Sequence, residues 1–336
     1  MLNKKVKAAA VHAAPVYMDK AASLRKVLAL INQAARKSVE LLAFPEVFVP
    51  GFPYFAYAYA PNAATVALYA AQSVVVPDDL EDVQAACAKF NIVVVLGISE
   101  RMRGGNSLFN SIVTVDADGT ILGVHRKVQP TWAERLVWGQ GSGYTLRTYE
   151  LRTMDDGGGG YRIGGLACWE HVINGARQAL IDQGQHVHVG CWPALDVLKG
   201  FEKVACAQIE ALMKTHALTA QVFVLCASSY VDETCLRWMT EKLGPQDKVR
   251  AGGGWTAIVH PFCSIVAGPH TTSQDKLVVS EIDLSQLDLV KAYVDGVGHY
   301  KRPEVFSSHV DMTQRWKDEP DIVGPISWCS EGLGEP

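Results

Sequence analysis

The first part of the chain alternates short apolar runs with helical periodicity. Val6–His12 predicts a strand, and the apolar residues of Ala21–Ala34 recur at helical spacing, with Asp19 placed to cap that helix. Glu40–Phe44 predicts a second apolar strand. The segment therefore predicts a β-α-β unit with parallel strands. A proline ends the second strand, and Glu46 follows it directly.

The same pattern repeats, and a hairpin joins it. Leu80–Phe90 predicts a helix and Ile92–Gly97 a buried strand. Two further strands, Leu108–Val115 and Thr120–Lys127, flank Asp118-Gly119, a dipeptide typical of tight hairpin turns. The sheet is therefore expected to contain antiparallel as well as parallel strands.

Further strands and helices are predicted along the second half of the chain. The strands are Tyr149–Asp155, Tyr161–Cys168, His186–Cys191, Gln221–Cys226, Trp255–Ile258, Ser264–Gly268 and Leu277–Asp283, and the helices are Ala176–Gln183 and Gly200–Ala217. Val47–Ala60, rich in aromatic residues and proline, predicts a packed loop, Gly157–Gly160 a flexible loop, and Val231–Gly254 a polar surface excursion. This alternation predicts an α/β fold with mixed sheets. We expect residues 1–305 to form a single domain and residues 306–336 a tail.

Composition narrows the class of protein. The 336 residues are 49% hydrophobic and 20% charged with a net charge of -4, which excludes a disordered chain and disfavours a nucleic-acid partner. We find neither a signal peptide nor an apolar run of membrane-spanning length, so we expect a cytoplasmic protein without a membrane partner. Eight cysteines without a C-x-x-C pair predict reduced thiols rather than a disulfide framework.

Several common site motifs are absent from the sequence. It contains no G-x-S-x-G, H-E-x-x-H or G-x-x-x-x-G-K-[ST] motif. The glycines of Gly139–Gly143 have the wrong spacing for a dinucleotide loop. His186 and His188 with Cys191 are conceivable metal ligands, but satisfied histidines at a sheet edge are commoner. We therefore predict neither a cofactor nor a metal.

Three reactive side chains share one position, the carboxyl end of an apolar strand. They are Glu46, Lys127 and Cys168. Sites in open α/β sheets are built at that edge. A carboxylate can deprotonate a thiol, and a nearby ammonium favours the thiolate and a later oxyanion. Taken singly, the three are more typical of a cap, a solvated charge and a buried cysteine, but their shared position favours a cysteine-based active site.

The residues around these positions resemble those of a known family. Three stretches are similar to motifs of the nitrilase superfamily, and within it of the true nitrilase branch. They are F-P-E at Phe44–Glu46, the run H-R-K-V-Q-P-T-W-A-E-R-L-V-W-G-Q-G at His125–Gly141, and C-W-E-H at Cys168–His171. The resemblance extends over nearly the whole chain, to G-H-Y-K-R-P near Lys301.

The resemblance implies a fold and a set of roles. The fold is a four-layer αββα sandwich of two mixed β-sheets flanked by helices. The roles are Cys168 as nucleophile, Glu46 as general base, Lys127 as the group that stabilises tetrahedral intermediates, and Glu134 as a second carboxylate that positions the lysine and substrate. The candidate substrate-pocket residues are Phe48, Tyr54, Trp132, Trp169 and His171.

The activity implied is hydrolysis of a small-molecule nitrile to a carboxylic acid and ammonia through a thioimidate and a thioester, with amide as a side product. Amide hydrolysis, conversion of cyanide by a dihydratase or hydratase, and a scaffold role without catalysis are the alternatives. The family also implies self-association into spiral or helical oligomers, for which Phe52–Ala60, Val231–Gly254 and the tail are candidate interfaces. The chain departs from its relatives at Val172–Gly175, where we expect Gly175 to loosen the wall beside Cys168.

Overall fold

A computed structural model describes residues 4–151 and 160–322 of the chain. The far half of the predicted strand Tyr149–Asp155, most of the glycine loop and residues 323–336 of the tail lie outside these ranges. Within them the strands are β1 Lys5–His12, β2 Leu41–Ala43, β3 Val93–Arg101, β4 Leu108–Val115, β5 Ile121–Arg126, β6 Tyr149–Leu151, β7 Tyr161–Ala167, β8 Val187–Trp192, β9 Phe223–Ser228, β10 Thr256–Val259, β11 Ile265–His270 and β12 Lys276–Asp283. The helices are α1 Lys20–Ala35, α2 Phe55–Ala58, α3 Ala63–Ala71, α4 Glu81–Phe90, α5 Asn174–Asp182, α6 Ala205–Ala220, α7 Glu233–Leu243, α8 Gln286–Tyr293 and α9 Glu319–Ile322.

The strands form two mixed halves of similar size. One half has the order β5-β4-β3-β2-β1-β12, and the other has the order β6-β7-β8-β9-β10-β11. The strands at the centre of each half are parallel, and antiparallel strands lie toward the edges. The pair His12 and Ser228 joins β1 to β9, so that hydrogen bonding runs continuously from one half to the other.

Apolar cores separate the layers. Side chains of both sheets, such as Ala8 and Val189, fill the core between them. The outer face of the first sheet packs on α1 and α4, for example at Ile31. The outer face of the second sheet packs on α6 at Ile209 and Met213. The helix-sheet-sheet-helix order confirms the predicted αββα sandwich.

Most predicted elements are present with small shifts at their ends. Asp19 caps α1, because its Oδ1 accepts a hydrogen bond from the backbone N–H of Ala22 at 2.8 Å. The prediction for Val231–Gly254 needs correction, because this segment contains the helix α7. Its polar residues face solvent, while Cys235 and Met239 are buried in an apolar cluster that also contains Tyr17 and Tyr54. Helices α2, α3, α8 and α9 are also not predicted by the sequence, and α2 lies within Val47–Ala60, where a loop is expected.

The described part of the tail packs against its own chain. Trp316 lies edge-on to Phe109 with ring centroids 4.7 Å apart. Asp318 pairs with the buried guanidinium of Arg126 at 2.8 Å. These contacts attach the tail to β4 and β5, directly behind Lys127. None of the helices within residues 4–151 and 160–322 combines the length and the apolar character that a membrane span requires.

Candidate active site

The predicted reactive residues converge at one edge of the fold. Glu46 follows β2, Lys127 follows β5 and Cys168 follows β7, as the sequence predicts. Glu134 joins them from a short 3-10 turn, Trp132–Leu136. One carboxylate oxygen from each glutamate and the sulfur of Cys168 all lie within 4.8 Å of one another.

Glu46 is held by a close backbone approach. Gly97 on β3 lies beside it, and a Cβ atom there would come within 2.2 Å of the Pro45 carbonyl and 2.7 Å of the Val47 nitrogen. Only glycine permits this contact. The amide of Asn110 donates a hydrogen bond to Glu46 Oε1 at 2.6 Å. The carboxylate is therefore fixed by its main chain and by one donor.

Lys127 lies between the two glutamates. Its Nζ is 2.9 Å from Glu46 Oε1 and 2.8 Å from Glu134 Oε2, and all three side chains are buried. The N–H of Thr131 also donates to Glu134 Oε2 at 2.8 Å. Glu46 Oε2 and Glu134 Oε1 are buried and have no hydrogen-bond partner among the described residues. We call Glu46, Lys127 and Glu134 the charged cluster. Each of its carboxylates keeps one oxygen available to a ligand.

Cys168 lies in an unusual backbone conformation at the end of β7. Its φ is 53°, in the left-handed region that costs a non-glycine residue about 1–2 kcal/mol. The carboxylate of Glu170 accepts hydrogen bonds from Ala167 N at 3.0 Å and from Val128 N at 2.8 Å. His125 is 3.1 Å from the same carboxylate. Glu170 thus ties the end of the cysteine strand to the end of the lysine strand.

Burial and charge set the protonation states. Burial raises the pKa of Glu46 to about 7, although Lys127 opposes this shift. Burial alone would lower the pKa of Lys127, but Glu134 and Glu46 raise it well above its ordinary value. Burial and the charge of Glu46 raise the pKa of Cys168, and Lys127 only partly compensates. The site therefore holds a protonated thiol, an ammonium, and a carboxylate that can gain or lose a proton near neutral pH. The charge of Lys127 also opposes metal binding.

A cavity of about 560 Å³ opens onto the thiol. Its wall is mostly aromatic and aliphatic, with charged groups at the cluster and two lysines. The lining residues are Tyr57, Thr131, Trp132, Glu134, Cys168, Trp169, Leu195, Leu198, Lys199, Phe201 and Lys248.

The chain matches the family model described as carbon-nitrogen hydrolase over residues 7–292. A nitrilase from Paraburkholderia phymatum is 37% identical over 334 residues, covering 98% of this chain and 92% of that protein. An aliphatic nitrilase from Rhodococcus rhodochrous is 33% identical, covering 90% of this chain and 81% of that protein. The chain belongs to the carbon-nitrogen hydrolase family. The similarity to these relatives also confirms the nitrilase branch that the motifs indicate.

A solved carbon-nitrogen hydrolase from Helicobacter pylori has the same fold. It superposes with a TM-score of 0.70 at 18% identity, covering 90% of this chain and 96% of that chain. As a carbon-nitrogen hydrolase, the protein is an enzyme.

The structure brings together some of the predicted pocket residues and separates others. Trp132 and Trp169 line the cavity of this carbon-nitrogen hydrolase. Phe48 packs instead in the core outside the first sheet, 5.4 Å from Phe44 between ring centroids. Tyr54 is buried and its hydroxyl is used by the main chain of Ala194. These two aromatic residues are buried in the apolar clusters between the sheets and their helices, and they do not line the cavity.

His171 lies behind the cysteine. Its ring is buried and stacks on Trp192 with ring centroids 5.3 Å apart. Gly175 also does not loosen the wall as expected. It lies on the solvent side of α5, and a Cβ atom there would meet nothing within 4 Å. The departure at Val172–Gly175 therefore leaves the cavity wall unchanged at this glycine.

Several residues of the site are not predicted from the sequence. Asn110 lies opposite Lys127 in the β4–β5 hairpin, but a bulge between Thr114 and Val115 shifts the register, so counting residues outward from the turn does not find it. Glu170 is part of C-W-E-H, but its contacts with two strand ends depend on the fold. The cavity residues Tyr57 and Phe201 follow no local pattern.

Proposed function

We propose that this protein hydrolyses organic nitriles to carboxylic acids and ammonia, with Cys168 as the nucleophile. The observation that carries the proposal is the buried charged cluster beside the thiol, with Glu46 Oε2 unpartnered. The names of its relatives, nitrilase and aliphatic nitrilase, support the same reaction.

The first stage forms a covalent adduct. Glu46 takes the thiol proton as Cys168 Sγ adds to the nitrile carbon, and it delivers that proton to the nitrile nitrogen, which gives a thioimidate. A pKa near 7 suits both transfers. The charge of Lys127 favours the thiolate and stabilises the developing anion.

The second stage releases the two products. Water adds to the thioimidate carbon while Glu46 accepts its proton, and the C–N bond breaks as protonated nitrogen leaves as ammonia. A second water attacks the resulting thioester, the C–S bond breaks, and the acid leaves as Cys168 regains its proton. One nitrile and two waters thus give one acid and one ammonia. If the C–S bond breaks first in the tetrahedral species, the product is an amide.

The cavity favours an organic nitrile over cyanide. Its volume of about 560 Å³ is in the range of small-molecule sites, and residues such as Trp132, Trp169 and Phe201 give it an apolar wall. A cyanide molecule would leave most of this space unfilled. Aliphatic or aromatic substituents that cover the wall gain binding energy from it.

Ammonia release from a substrate panel tests the proposal. The panel contains aliphatic, aromatic and arylacetonitrile nitriles, their matching amides, and cyanide. We expect ammonia from nitriles and little from the amides. Release from the amides alone would replace the proposal with amide hydrolysis, and formate or formamide from cyanide alone would replace it with cyanide conversion.

We also propose that the protein self-associates in the cytoplasm, with residues 1–305 as a single folded domain and the tail at a subunit interface. Val231–Gly254 and Phe52–Ala60 are the other candidate contacts. Light scattering after size-exclusion chromatography tests this, and a monomer at micromolar concentration would contradict it.

A further inference from the structure

A continuous run of buried polar side chains lies behind Cys168, in a part of the protein that the reaction does not use. His171 Nδ1 is 2.6 Å from the Cys168 carbonyl oxygen, and His171 Nε2 is 2.9 Å from His188 Nε2. His188 Nδ1 is 3.0 Å from Gln185 Nε2, and Gln185 Oε1 is 3.1 Å from His216 Nε2. We call these four side chains the histidine chain.

The partners fix the direction of every hydrogen bond. A carbonyl only accepts, so His171 Nδ1 carries a hydrogen. Burial lowers the pKa of His171 to about 4, so the ring is neutral at pH 7 and its Nε2 accepts from His188. His188 is neutral for the same reason, and its Nδ1 accepts from the amide nitrogen of Gln185. The amide oxygen in turn accepts from His216.

All four bonds therefore point the same way, from His216 toward the Cys168 carbonyl. Bonds aligned in one direction polarise one another and strengthen the last one. That last bond holds the residue whose φ of 53° costs energy. Rotation of this peptide toward a relaxed conformation would carry the sulfur away from Glu46.

We propose that His171, His188, Gln185 and His216 are positioning residues that hold the strained backbone of Cys168 and thereby place its sulfur against the charged cluster. Their origin in separate elements fits this role. His171 lies in the turn after β7, His188 lies on β8, Gln185 precedes that strand, and His216 lies on α6. The chain thus links the nucleophile to the core of the second sheet. Apolar side chains would fill the same space without fixing a carbonyl.

Substitutions at His171 separate positioning from packing. His171→Leu removes the donor to the carbonyl, and we expect kcat to fall about 100-fold with KM changed less than about twofold, the cost of moving a reacting atom by about 1 Å. His171→Asn keeps an amide N–H near the position of Nδ1, and we expect it to retain kcat within about fivefold. Equal loss in both variants, or full kcat in a folded His171→Leu enzyme, would overturn the proposal.

A variant farther along the chain tests the direction of the bonds. His188→Gln keeps a donor toward His171, whereas His188→Leu removes it, so we expect only the leucine variant to lose kcat, by about tenfold. His186→Leu is the matched control, because His186 precedes the same strand but, among the described residues, its ring accepts only from Arg162 N at 2.9 Å. It should keep full kcat whatever its melting temperature. A loss of kcat that follows melting temperature across all variants would reduce the chain to a packing role.

The proposal rests on the proposed function only in taking Cys168 as the reactive thiol. The rate of Cys168 alkylation by iodoacetamide, measured by mass spectrometry, supplies a readout that needs no nitrile. We expect about tenfold slower alkylation in His171→Leu and a normal rate in His171→Asn. If the two variants differ in alkylation rate but the natural protein hydrolyses no nitrile, the positioning role is supported and nitrile hydrolysis is rejected. Equal alkylation rates would reject the positioning role.

Discussion

Two buried polar groups flank Cys168, and they differ in charge. On one side, Lys127 forms ion pairs with Glu46 and Glu134 at 2.9 and 2.8 Å. On the other side, the uncharged histidine chain ends in His171, 2.6 Å from the Cys168 carbonyl. Both groups are removed from solvent, so the contrast comes from their chemistry and not from their exposure.

The two groups also differ in unused hydrogen-bonding capacity. Each carboxylate of the charged cluster keeps an unpartnered oxygen next to the thiol, within the described residues. The histidine chain uses its donors and acceptors in sequence, and the exception, His216 Nδ1, is at the end farthest from the thiol. The reactive carboxylates thus keep a hydrogen-bond acceptor free for a ligand, whereas the supporting side chains use their donors and acceptors in hydrogen bonds within the protein. The following tests measure that difference.

The largest effect is expected from the thiol itself. Cys168→Ala should abolish ammonia release while lowering the free energy of unfolding by only about 1 kcal/mol, because it removes one buried atom. Glu46→Gln should reduce kcat by about 10³-fold, since it removes the base. Circular dichroism and thermal melting check that both variants fold. Turnover by Cys168→Ala would end the proposed mechanism.

The next effect concerns the backbone that positions the base. Gly97→Ala places a Cβ atom against main chain on both sides of Glu46, so the carboxylate must move. We expect kcat to fall about 100-fold in a folded protein. Steady-state kinetics with Gly175→Ala as the matched control measure this. Unchanged kcat in Gly97→Ala would mean that the base tolerates displacement.

The pH profile examines the charged cluster alone. Glu46 acts as a base only when ionised, so kcat/KM should fall about tenfold per pH unit below about pH 7. The charge of Glu134 helps to raise the pKa of Glu46. The residual activity of Glu134→Gln should therefore show its acid limb at lower pH than the natural enzyme. If the acid limb of Glu134→Gln lies at the same pH as that of the natural enzyme, the limb reports the titration of a group other than Glu46.

The histidine chain should affect the pH dependence of stability. Within it, His171 faces Glu170, Arg177 and Lys127, and burial lowers the pKa of all three histidines, to about 4 for His171. An unfolded histidine binds its proton near pH 6.5, so the free energy of unfolding should fall as pH falls from 6.5 toward 4. His216→Gln should reduce that slope by up to about 1.4 kcal/mol per pH unit. Urea titrations that give identical slopes would contradict this.

The smallest effect belongs to Gly175. Alanine at this exposed position of α5 meets no atom within 4 Å. It should raise the free energy of unfolding by about 0.5–1 kcal/mol through helix propensity. Activity should not change on any nitrile of the panel. A shift in substrate preference would indicate that Gly175 does affect the cavity wall.

The sequence predicts what local patterns encode. Strand ends at Glu46, Lys127 and Cys168 could be placed because alternating apolar strands and helices put reactive residues at a shared edge. Glu134 came only from its motif, since its turn has no apolar pattern. The sequence does not predict helix α7, because its apolar face consists of a few residues, such as Cys235, among many charged ones.

The remaining features depend on packing between distant segments. The cavity wall combines Tyr57 with Phe201 and Lys248, which no spacing relates. His188 and His216 come together because α6 packs on the second sheet, with their rings 3.8 Å apart. Contacts of this kind follow from the folded layers and not from any one stretch of residues.

The protonated state of Cys168 has a consequence for storage of the enzyme. Peroxide attacks thiolates, so a buried thiol with a raised pKa oxidises slowly. Burial also raises the pKa of Cys206, to about 11, and that of Cys263, but among the described cysteines these two are partly exposed and the others are buried. During ageing in air we expect these two to form sulfenic acids or mixed disulfides first. A fall in the number of free thiols would then reflect oxidation of these partly exposed cysteines, while the fraction of active enzyme stays constant.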